Sequence, residues 1–287
     1  MVESGQVSEF GFSNPDRTHL GIEVVDFGRL SQRLPTRTLT SVHRTDFHQI
    51  YLITSGTGGM MVDFVDHPCT HGTLLHVAPG RVLRLPSPEV EAAVVLFTAA
   101  FPPRLERAGS LLASFGPVGW TVPHDERDVL SAAVAELQAE YRRAVTAPEA
   151  ITVDLLRHLL GALLLRVARL APEDSPAQHL GGDTFQHFQH ELERSFATTR
   201  NAADYAARVG YSLRSLNRVC QTATGRTAKA LVDARVALEA KRLLAHTDLP
   251  LAAVGSRLGF TEPTNFGKFF TRETGDTPGA FRARERT

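Results

Sequence analysis

The sequence predicts an α+β protein of two domains, an N-terminal β-barrel or sandwich with a helical segment and a C-terminal all-α domain. Three observations favour this fold class. Short β-forming runs fill residues 1–122, helical periodicity begins near residue 124, and a helical motif occurs twice after residue 183. The chain has 287 residues, of which 43% are hydrophobic and 22% charged, a composition typical of soluble globular proteins.

Four runs in the N-terminal region are short and rich in β-forming residues: 49–54, 60–65, 73–77 and 93–97. Turns that contain glycine or proline separate them, and we interpret the glycine-rich stretch 56–59 as a hairpin turn. Strands of this length at spacings of about ten residues indicate an all-β sandwich or barrel.

The middle of the chain shows helical periodicity in two segments, 125–145 and 151–170. In the second segment, steps of four and three residues alternate along one apolar stripe, formed by Leu156, Leu160, Leu163, Val167 and Leu170. Such a stripe either packs the helix on its own β-domain or forms a dimerisation seam. A pattern of about two heptads is too short to decide between these alternatives.

A stretch rich in proline, glycine and polar residues at 172–182 predicts a linker. We therefore expect one domain at 1–171, with its helical segment at about 124–170, and a second at 183–287. The second domain contains 16 of the 31 Lys and Arg residues but only 11 of the 31 Asp and Glu residues, so its net charge is +5. A basic domain in a chain of zero net charge is typical of a protein with a polyanionic partner.

Targeting signals and cysteine usage exclude several classes of protein. The sequence shows neither a signal peptide nor an apolar run long enough to span a bilayer, which predicts a cytoplasmic protein without membrane contact. The two cysteines, Cys69 and Cys220, are too few for a disulfide framework or a metal cluster. We expect both thiols to be reduced.

An internal repeat occupies the C-terminal domain. Residues 203–211 resemble residues 252–260 at an offset of 49, and residues 216–220 match residues 266–270 at an offset of 50. Between these two stretches, each copy contains a glycine, an aromatic residue and a hydroxyl residue. They are Gly210, Tyr211 and Ser212 in the first copy and Gly259, Phe260 and Thr261 in the second.

This order of residues predicts a helix-turn-helix in each copy. Glycine adopts the left-handed conformation that ends the first helix, the aromatic ring fits the angle between the helices, and the hydroxyl group caps the second helix. One continuous helix is predicted at 227–245, with a length of about 28 Å. Because successive major-groove entries on one face of DNA lie about 34 Å apart, this helix suits two recognition helices in neighbouring grooves.

The second helix of each copy is expected to read double-stranded DNA with its outward face. The residues predicted to face inward are Leu216, Val219 and Cys220 in the first copy and Phe266, Phe269 and Phe270 in the second. The residues predicted to contact DNA are Arg214, Ser215, Asn217, Arg218 and Gln221 in the first copy and Thr264, Asn265, Lys268 and Arg272 in the second. Arginine and lysine suit guanine edges, asparagine suits adenine, and hydroxyl groups suit several partners.

Residues 203–281 resemble the DNA-binding domain of the AraC/XylS family of bacterial transcriptional regulators. The most specific part is 258–282, with its Gly-Phe turn, paired aromatic residues and Thr-Pro…Phe-Arg ending. The resemblance implies an N-terminal cupin-like domain that senses a small-molecule effector, dimerises or does both. Residues 43–59 and 72–80 resemble strands of such domains. It also implies action on RNA polymerase, with activation as the commoner outcome in the family.

Five histidines stand in the N-terminal region: His43, His48, His67, His71 and His76. Metal-binding cupins resemble one another in a His-x-His pair followed by Glu and a later His, a pattern that these spacings do not match. His67 and His71 flank a stretch that we interpret as a turn. We therefore expect no metal site and no cofactor. Candidates for lining an effector pocket are Arg44, Tyr51 and His76.

These patterns predict a transcriptional regulator that is not an enzyme. Its fold is expected to combine a cupin-like β-barrel and a helical dimerisation segment with two helix-turn-helix units joined by a long helix. We expect a homodimeric activator under effector control. Two alternatives stay open: a constitutive dimeric regulator without effector, and a cupin enzyme with a helical appendage.

Overall fold

The computed structural model of the chain describes residues 8–105, 109–112, 117–144, 150–170 and 182–285. Contacts define two compact units, which fall within Ser8–Pro172 and Glu173–Thr287. The predicted linker, apart from Gly182, lies outside the described residues. Among the described helices, none combines the length and the apolar character needed to cross a membrane.

The N-terminal unit is built mainly from short strands. In chain order they are β1 (Ser8–Phe10), β2 (Ile22–Asp26), β3 (His43–Thr45), β4 (His48–Ser55), β5 (Thr57–Val62), β6 (Val65–Thr70), β7 (Thr73–Val77), β8 (Val82–Arg84), β9 (Glu91–Phe97) and β10 (Gly119–Thr121). One sheet has the spatial order β1-β3-β8-β5-β6 and the other the order β10-β7-β4-β9-β2. The predicted β-structure is confirmed, and β4, β5, β7 and β9 overlap the four predicted runs.

Two predicted turns in this unit are wrong. The chain bends at Gly56, but β4 and β5 pair with different strands, so the bend leads from one sheet to the other and closes no hairpin. The hairpin lies between β5 and β6, at Asp63 and Phe64, whose φ angles are 51° and 68°. Cys69 and its neighbours, interpreted as a turn, therefore belong to strand β6. A two-residue turn with positive φ usually contains a glycine that reveals it in the sequence. The turn at Asp63 and Phe64 contains none.

The second sheet separates two hydrophobic clusters, because successive side chains of a strand point to opposite faces. Tyr51 and Ile53 of β4 belong to a cluster that also includes residues of the first sheet. Ile50 and Leu52 of the same strand belong to the other cluster. The side of the sheet that a β4 residue faces therefore decides which of the two clusters it joins.

The helices described in the N-terminal unit are α1 (Phe27–Arg33), α2 (Thr36–Thr40), α3 (Gly109–Leu112), α4 (His124–Arg143) and α5 (Ala150–Arg169). The last two confirm the predicted segments 125–145 and 151–170 to within a few residues. Four members of the predicted stripe of α5 are fully buried against α4 and the second sheet: Leu156, Leu160, Leu163 and Val167. This stripe therefore packs α5 on its own β-domain and does not form a dimerisation seam.

The C-terminal unit consists of α6 (Gly182–Ser195), α7 (Ala202–Arg208), α8 (Leu213–Thr224), α9 (Ala228–His246), α10 (Leu251–Arg257), α11 (Pro263–Thr274) and α12 (Pro278–Glu285). Helices α7 and α8 form the first helix-turn-helix, α10 and α11 form the second, and α9 connects them. Gly210 and Gly259 adopt φ angles of +78° and +76° in the two turns, as predicted. The predicted helix at 227–245 is confirmed as α9, one residue further along the chain.

The two turns differ in detail. Ser212 caps α8 as predicted, because its hydroxyl accepts a hydrogen bond from the Ser215 N–H at 3.1 Å. The cap predicted at Thr261 is wrong, since the N-cap of α11 is Glu262 and makes no side-chain cap bond. The prediction that the aromatic residue fills the angle between the helices is wrong for Tyr211, which is 46% exposed. The first copy instead receives an aromatic contact from outside the repeat, since Phe188 of α6 is fully buried and contacts Tyr205 of α7.

Candidate nucleic-acid interface

Helix α8 has one apolar and one polar face. Leu216 and Cys220 are fully buried on the inner side, as predicted. Arg214, Arg218 and Gln221 are exposed and follow one another at steps of four and three residues. Because such steps keep side chains on one face of a helix, these three residues form a single outward row.

Helix α11 is anchored by aromatic side chains and presents polar ones outward. The buried residues are Phe266, Phe269 and Phe270, and the exposed residues are Thr264, Asn265 and Lys268. All six lie as the helical period predicts. The exposed three stand in the first half of the helix, the part of a recognition helix that reaches base edges.

Three predicted contact residues have partners inside the protein. The Asn217 side-chain oxygen accepts a hydrogen bond from the Ala228 N–H at 3.0 Å. The Arg272 guanidinium lies 3.3 Å from the Asp233 carboxylate. The hydroxyl of Ser215 accepts a hydrogen bond from the hydroxyl of the N-cap serine at 2.9 Å. The helical pattern predicted DNA contacts for these three side chains, whereas in the structure each makes an intramolecular contact.

Two of these contacts tie the recognition helices to α9. Ala228 is the first residue of α9, so Asn217 of α8 satisfies one of the N–H groups that a helix start leaves free. Asp233 lies further along α9, and its bond to Arg272 holds α11. The long helix is therefore a scaffold that fixes both recognition helices.

Buried ionic groups connect this scaffold helix to α6. Arg235 of α9 lies 3.1 Å from Glu193 of α6 and 3.1 Å from Glu239, and its guanidinium stacks 3.7 Å from the Phe196 ring centroid. Since its side chain is almost wholly buried, each of these partners offsets part of the cost of burying its charge. The sequence carried no signal for the link to α6, because Arg235 and Glu193 are 42 residues apart.

Arg282, the arginine of the Thr-Pro…Phe-Arg ending, makes two hydrogen bonds with the backbone at and just after the end of α9. Its guanidinium donates to the carbonyl oxygens of Leu244 at 3.2 Å and Leu249 at 2.7 Å. Leu244 lies in the last turn of α9, where carbonyl groups have no partner within the helix. Arg282 therefore fixes α12 against the end of the scaffold helix.

Three exposed cations on the outward faces stand apart from these pairs. Within the described residues, the structure gives Arg214, Arg218 and Lys268 neither an ion-pair nor a hydrogen-bond partner. Both recognition helices contribute to this set. Cations that are exposed and unpaired on a helix face are available for phosphate oxygens or for guanine edges.

The three effector-pocket candidates do not converge. Tyr51 lies in the cluster between the sheets, where its hydroxyl donates to the Gln49 side chain at 2.6 Å. His76 is the register partner of Ile50 and therefore lies on the opposite face of the same sheet. Arg44 lies on β3 in the other sheet. The structure thus separates residues that the sequence grouped.

His76 instead forms a buried pair with His48. The Nε2 atom of His76 and the Nδ1 atom of His48 are 3.1 Å apart, and the rings are stacked. Burial lowers the pKa of His48 to about 4, and burial, the His48 ring and Arg81 lower the pKa of His76 well below its usual value. Both rings are therefore neutral at neutral pH, and one donates its N–H to the other. In the described part of the chain, no three His, Cys, Asp or Glu residues are placed to hold a metal ion.

Two helix-turn-helix units on one scaffold helix, with unpaired cations on both outward faces, define the class of helix-turn-helix DNA-binding proteins. The comparisons with known proteins narrow this class. Residues 205–284 match the helix-turn-helix domain family, and residues 24–170, just over half of the chain, match the AraC-like ligand binding domain family. The chain belongs to the AraC family of bacterial transcriptional regulators, and its β-domain is the cupin-like ligand-binding domain of that family.

Several individual proteins that this chain resembles are at most 30% identical to it. The HTH-type transcriptional activators RhaS of Shigella sonnei (strain Ss046) and of Escherichia coli (strain K12 / DH10B) are 26% identical over 258 residues, which cover 87% of this chain and 89% of theirs. Among solved structures, ToxT from Vibrio cholerae O395 is 11% identical, with a TM-score of 0.42, over 91% of this chain and 96% of that one. The DNA-binding domain of AdpA in complex with a target DNA is 30% identical, with a TM-score of 0.31, over 34% of this chain and 86% of that one.

Proposed function

We propose that this protein is a cytoplasmic transcriptional activator that binds a specific DNA site through α8 and α11 and is controlled by a small molecule bound to its N-terminal unit. The observation that carries the proposal is that both recognition helices present exposed cations without partners among the described residues. One scaffold helix, α9, holds both of these helices in place. The ligand-binding family match supports effector control, and the similarity to the transcriptional activators RhaS supports activation. We propose that this activation acts on RNA polymerase.

The proposed base-reading set is narrower than the sequence predicted. It comprises the six exposed residues without a partner among the described residues: Arg214, Arg218, Gln221, Thr264, Asn265 and Lys268. Asn217 and Arg272 act as positioning residues, since each holds a recognition helix on α9. We expect arginine and lysine to select guanine and Asn265 to select adenine.

The first test replaces one cation in each helix. Full-length protein selects its site from a random DNA library, and fluorescence anisotropy across a salt series then compares Arg218→Ala and Lys268→Ala with wild type. Each substitution should weaken binding to the selected site by about 1–3 kcal/mol and relax the sequence preference in a different half of it. Loss of a phosphate contact alone would weaken binding to all sequences and flatten the salt dependence.

The control for this test is Arg194→Ala, which removes an exposed arginine of α6 that pairs with Glu191. This variant should bind like wild type. If wild-type protein enriches no sequence from the library or from genomic fragments, with or without cell extract, the proposal of sequence-specific DNA binding is wrong.

We further propose that a second copy of the chain covers an exposed stripe of α5. Ile151, Leu155 and Leu165 are 71%, 44% and 41% exposed, on the side away from the buried stripe. His158 and Ala162 continue the steps of four and three residues between them. In a symmetric antiparallel pair that crosses at His158, Ile151 of one copy lies opposite Leu165 of the other, so the stripe is complementary to itself.

The dimer is tested by placing a charge in this stripe. Wild-type protein should sediment as a dimer at micromolar concentration, and Leu155→Asp should sediment as a monomer because the carboxylate would be buried without a partner. Val65→Asp serves as the control, since Val65 is exposed on β6, outside α5. A monomeric wild type, or a Leu155→Asp protein that is still dimeric, would contradict this interface.

A further inference from the structure

We propose that Arg200 is a positioning residue for DNA recognition, which fixes the second recognition helix from a segment that lies outside both helix-turn-helix units. This inference rests on the proposed DNA binding and adds a residue to it. Arg200 lies in the connection between α6 and α7, before the first unit begins. Its contacts are nevertheless made with the turn of the second unit.

Two contacts hold Arg200 on that turn. Its Nη1 donates to the Leu258 carbonyl oxygen at 3.2 Å, and its guanidinium carbon lies 3.6 Å from the centroid of the Phe260 ring. Leu258 is the C-cap of α10, where unsatisfied carbonyl groups give the helix end a partial negative charge. The cation therefore meets a helix end and an aromatic face, two partners that both favour positive charge.

The backbone of the same segment also approaches the turn. A side chain built on Gly259 would place its Cβ 2.5 Å from the carbonyl oxygen of Ala197. The connection between α6 and α7 is thus packed on the second turn by its backbone as well as by the Arg200 side chain. Such close approach requires glycine at this position.

Phe260 transmits this contact to the recognition helix. Its ring centroid lies 5.5 Å from that of Phe266 and 5.1 Å from that of Phe269, both on the inner face of α11. Asn265 and Lys268, which are proposed to read bases, each adjoin one of these anchors in sequence. A shift of the Phe260 ring therefore changes how α11 presents them.

Within the described residues, the turn of the first unit has no equivalent contact. Its equivalent aromatic residue, Tyr211, is 46% exposed, whereas Phe260 is 6% exposed. A Cβ added to Gly210 would meet nothing within 4 Å. The effect of removing Arg200 should therefore be confined to the half of the DNA site that α11 reads.

The experiment measures binding of full-length wild type, Arg200→Ala and Arg200→Lys to three duplexes. One is the site selected from a random library, and in each of the others one half of the site is replaced by unrelated sequence. The half that α11 reads is the one whose replacement removes the effect of Lys268→Ala. Arg194→Ala is the matched control, because it removes another arginine six residues earlier in the chain.

We expect Arg200→Ala to weaken binding to the intact site by about tenfold, the scale of one base contact, and to bind like wild type once the α11 half is replaced. Arg200→Lys should recover part of the affinity, since it keeps a cation over the ring. An equal loss on all three duplexes would overturn the inference, because it would indicate a direct phosphate contact or a smaller folded fraction. Unchanged binding to the intact site would overturn it as well. Failure of wild-type protein to select any site would instead refute the proposed DNA binding.

Discussion

The Gly259→Ala substitution is expected to lower the free energy of unfolding of the C-terminal unit by about 3 kcal/mol, against about 1 kcal/mol for Gly210→Ala. Both glycines adopt nearly the same φ, +76° and +78°, so alanine meets similar backbone strain in either turn. Their surroundings differ, because only a Cβ at Gly259 collides with the carbonyl oxygen of Ala197. A backbone oxygen cannot rotate away as a side chain can, so the turn or its neighbour must move.

Urea unfolding followed by circular dichroism at a helix band measures this difference. Trp120 is the only tryptophan of the chain and belongs to the N-terminal unit. Its fluorescence transition therefore provides an internal control, which should stay unchanged in both variants. Equal losses for Gly259→Ala and Gly210→Ala would show that the approach of Ala197 adds nothing to the strain of the turn.

The long helices were predictable because their periodicity repeats over several turns. Segment 227–245 corresponds to α9 with a shift of one residue, and segment 151–170 corresponds to α5. The three-residue strands β1, β8 and β10 were not predicted, since a strand this short is defined by pairing with distant residues and shows no pattern of its own. The hairpin at Asp63 and Phe64 was missed for a different reason, because neither residue is a glycine.

The outward faces of the recognition helices were also predictable, because exposure in a helix follows a period of 3.6 residues. Arg218 and Lys268 are exposed where this period places them, and Val219 is half-buried at the edge of the inner face. The period says nothing about partners from other elements. It therefore could not show that Asn217 is bonded to α9 or that Arg200 reaches the second turn, 58 residues away from the carbonyl it contacts.

The two copies of the repeat keep one backbone plan but fill their cores differently. Tyr205 of α7 packs on Phe188 of α6, with the ring centroids 5.9 Å apart, so the first copy draws on a helix outside the repeat. The second copy draws on its own aromatic residues and on Phe281 of α12, whose ring centroid lies 5.5 Å from that of Phe270. Alanine substitutions at equivalent positions in the two copies should therefore lower the free energy of unfolding by different amounts.

Phe270 and Cys220 provide this comparison, since they occupy the same place in the repeat and are both fully buried. Phe270→Ala should destabilise the C-terminal unit by about 4 kcal/mol, because it removes a ring that also contacts Phe266 at 6.0 Å and leaves a cavity between α11 and α12. Cys220→Ala should cost about 1 kcal/mol, since it removes only a sulfur atom. The same urea transitions measure both variants. Similar losses at the two positions would mean that the first copy depends on its own core as much as the second does, and that the contribution of α6 is small.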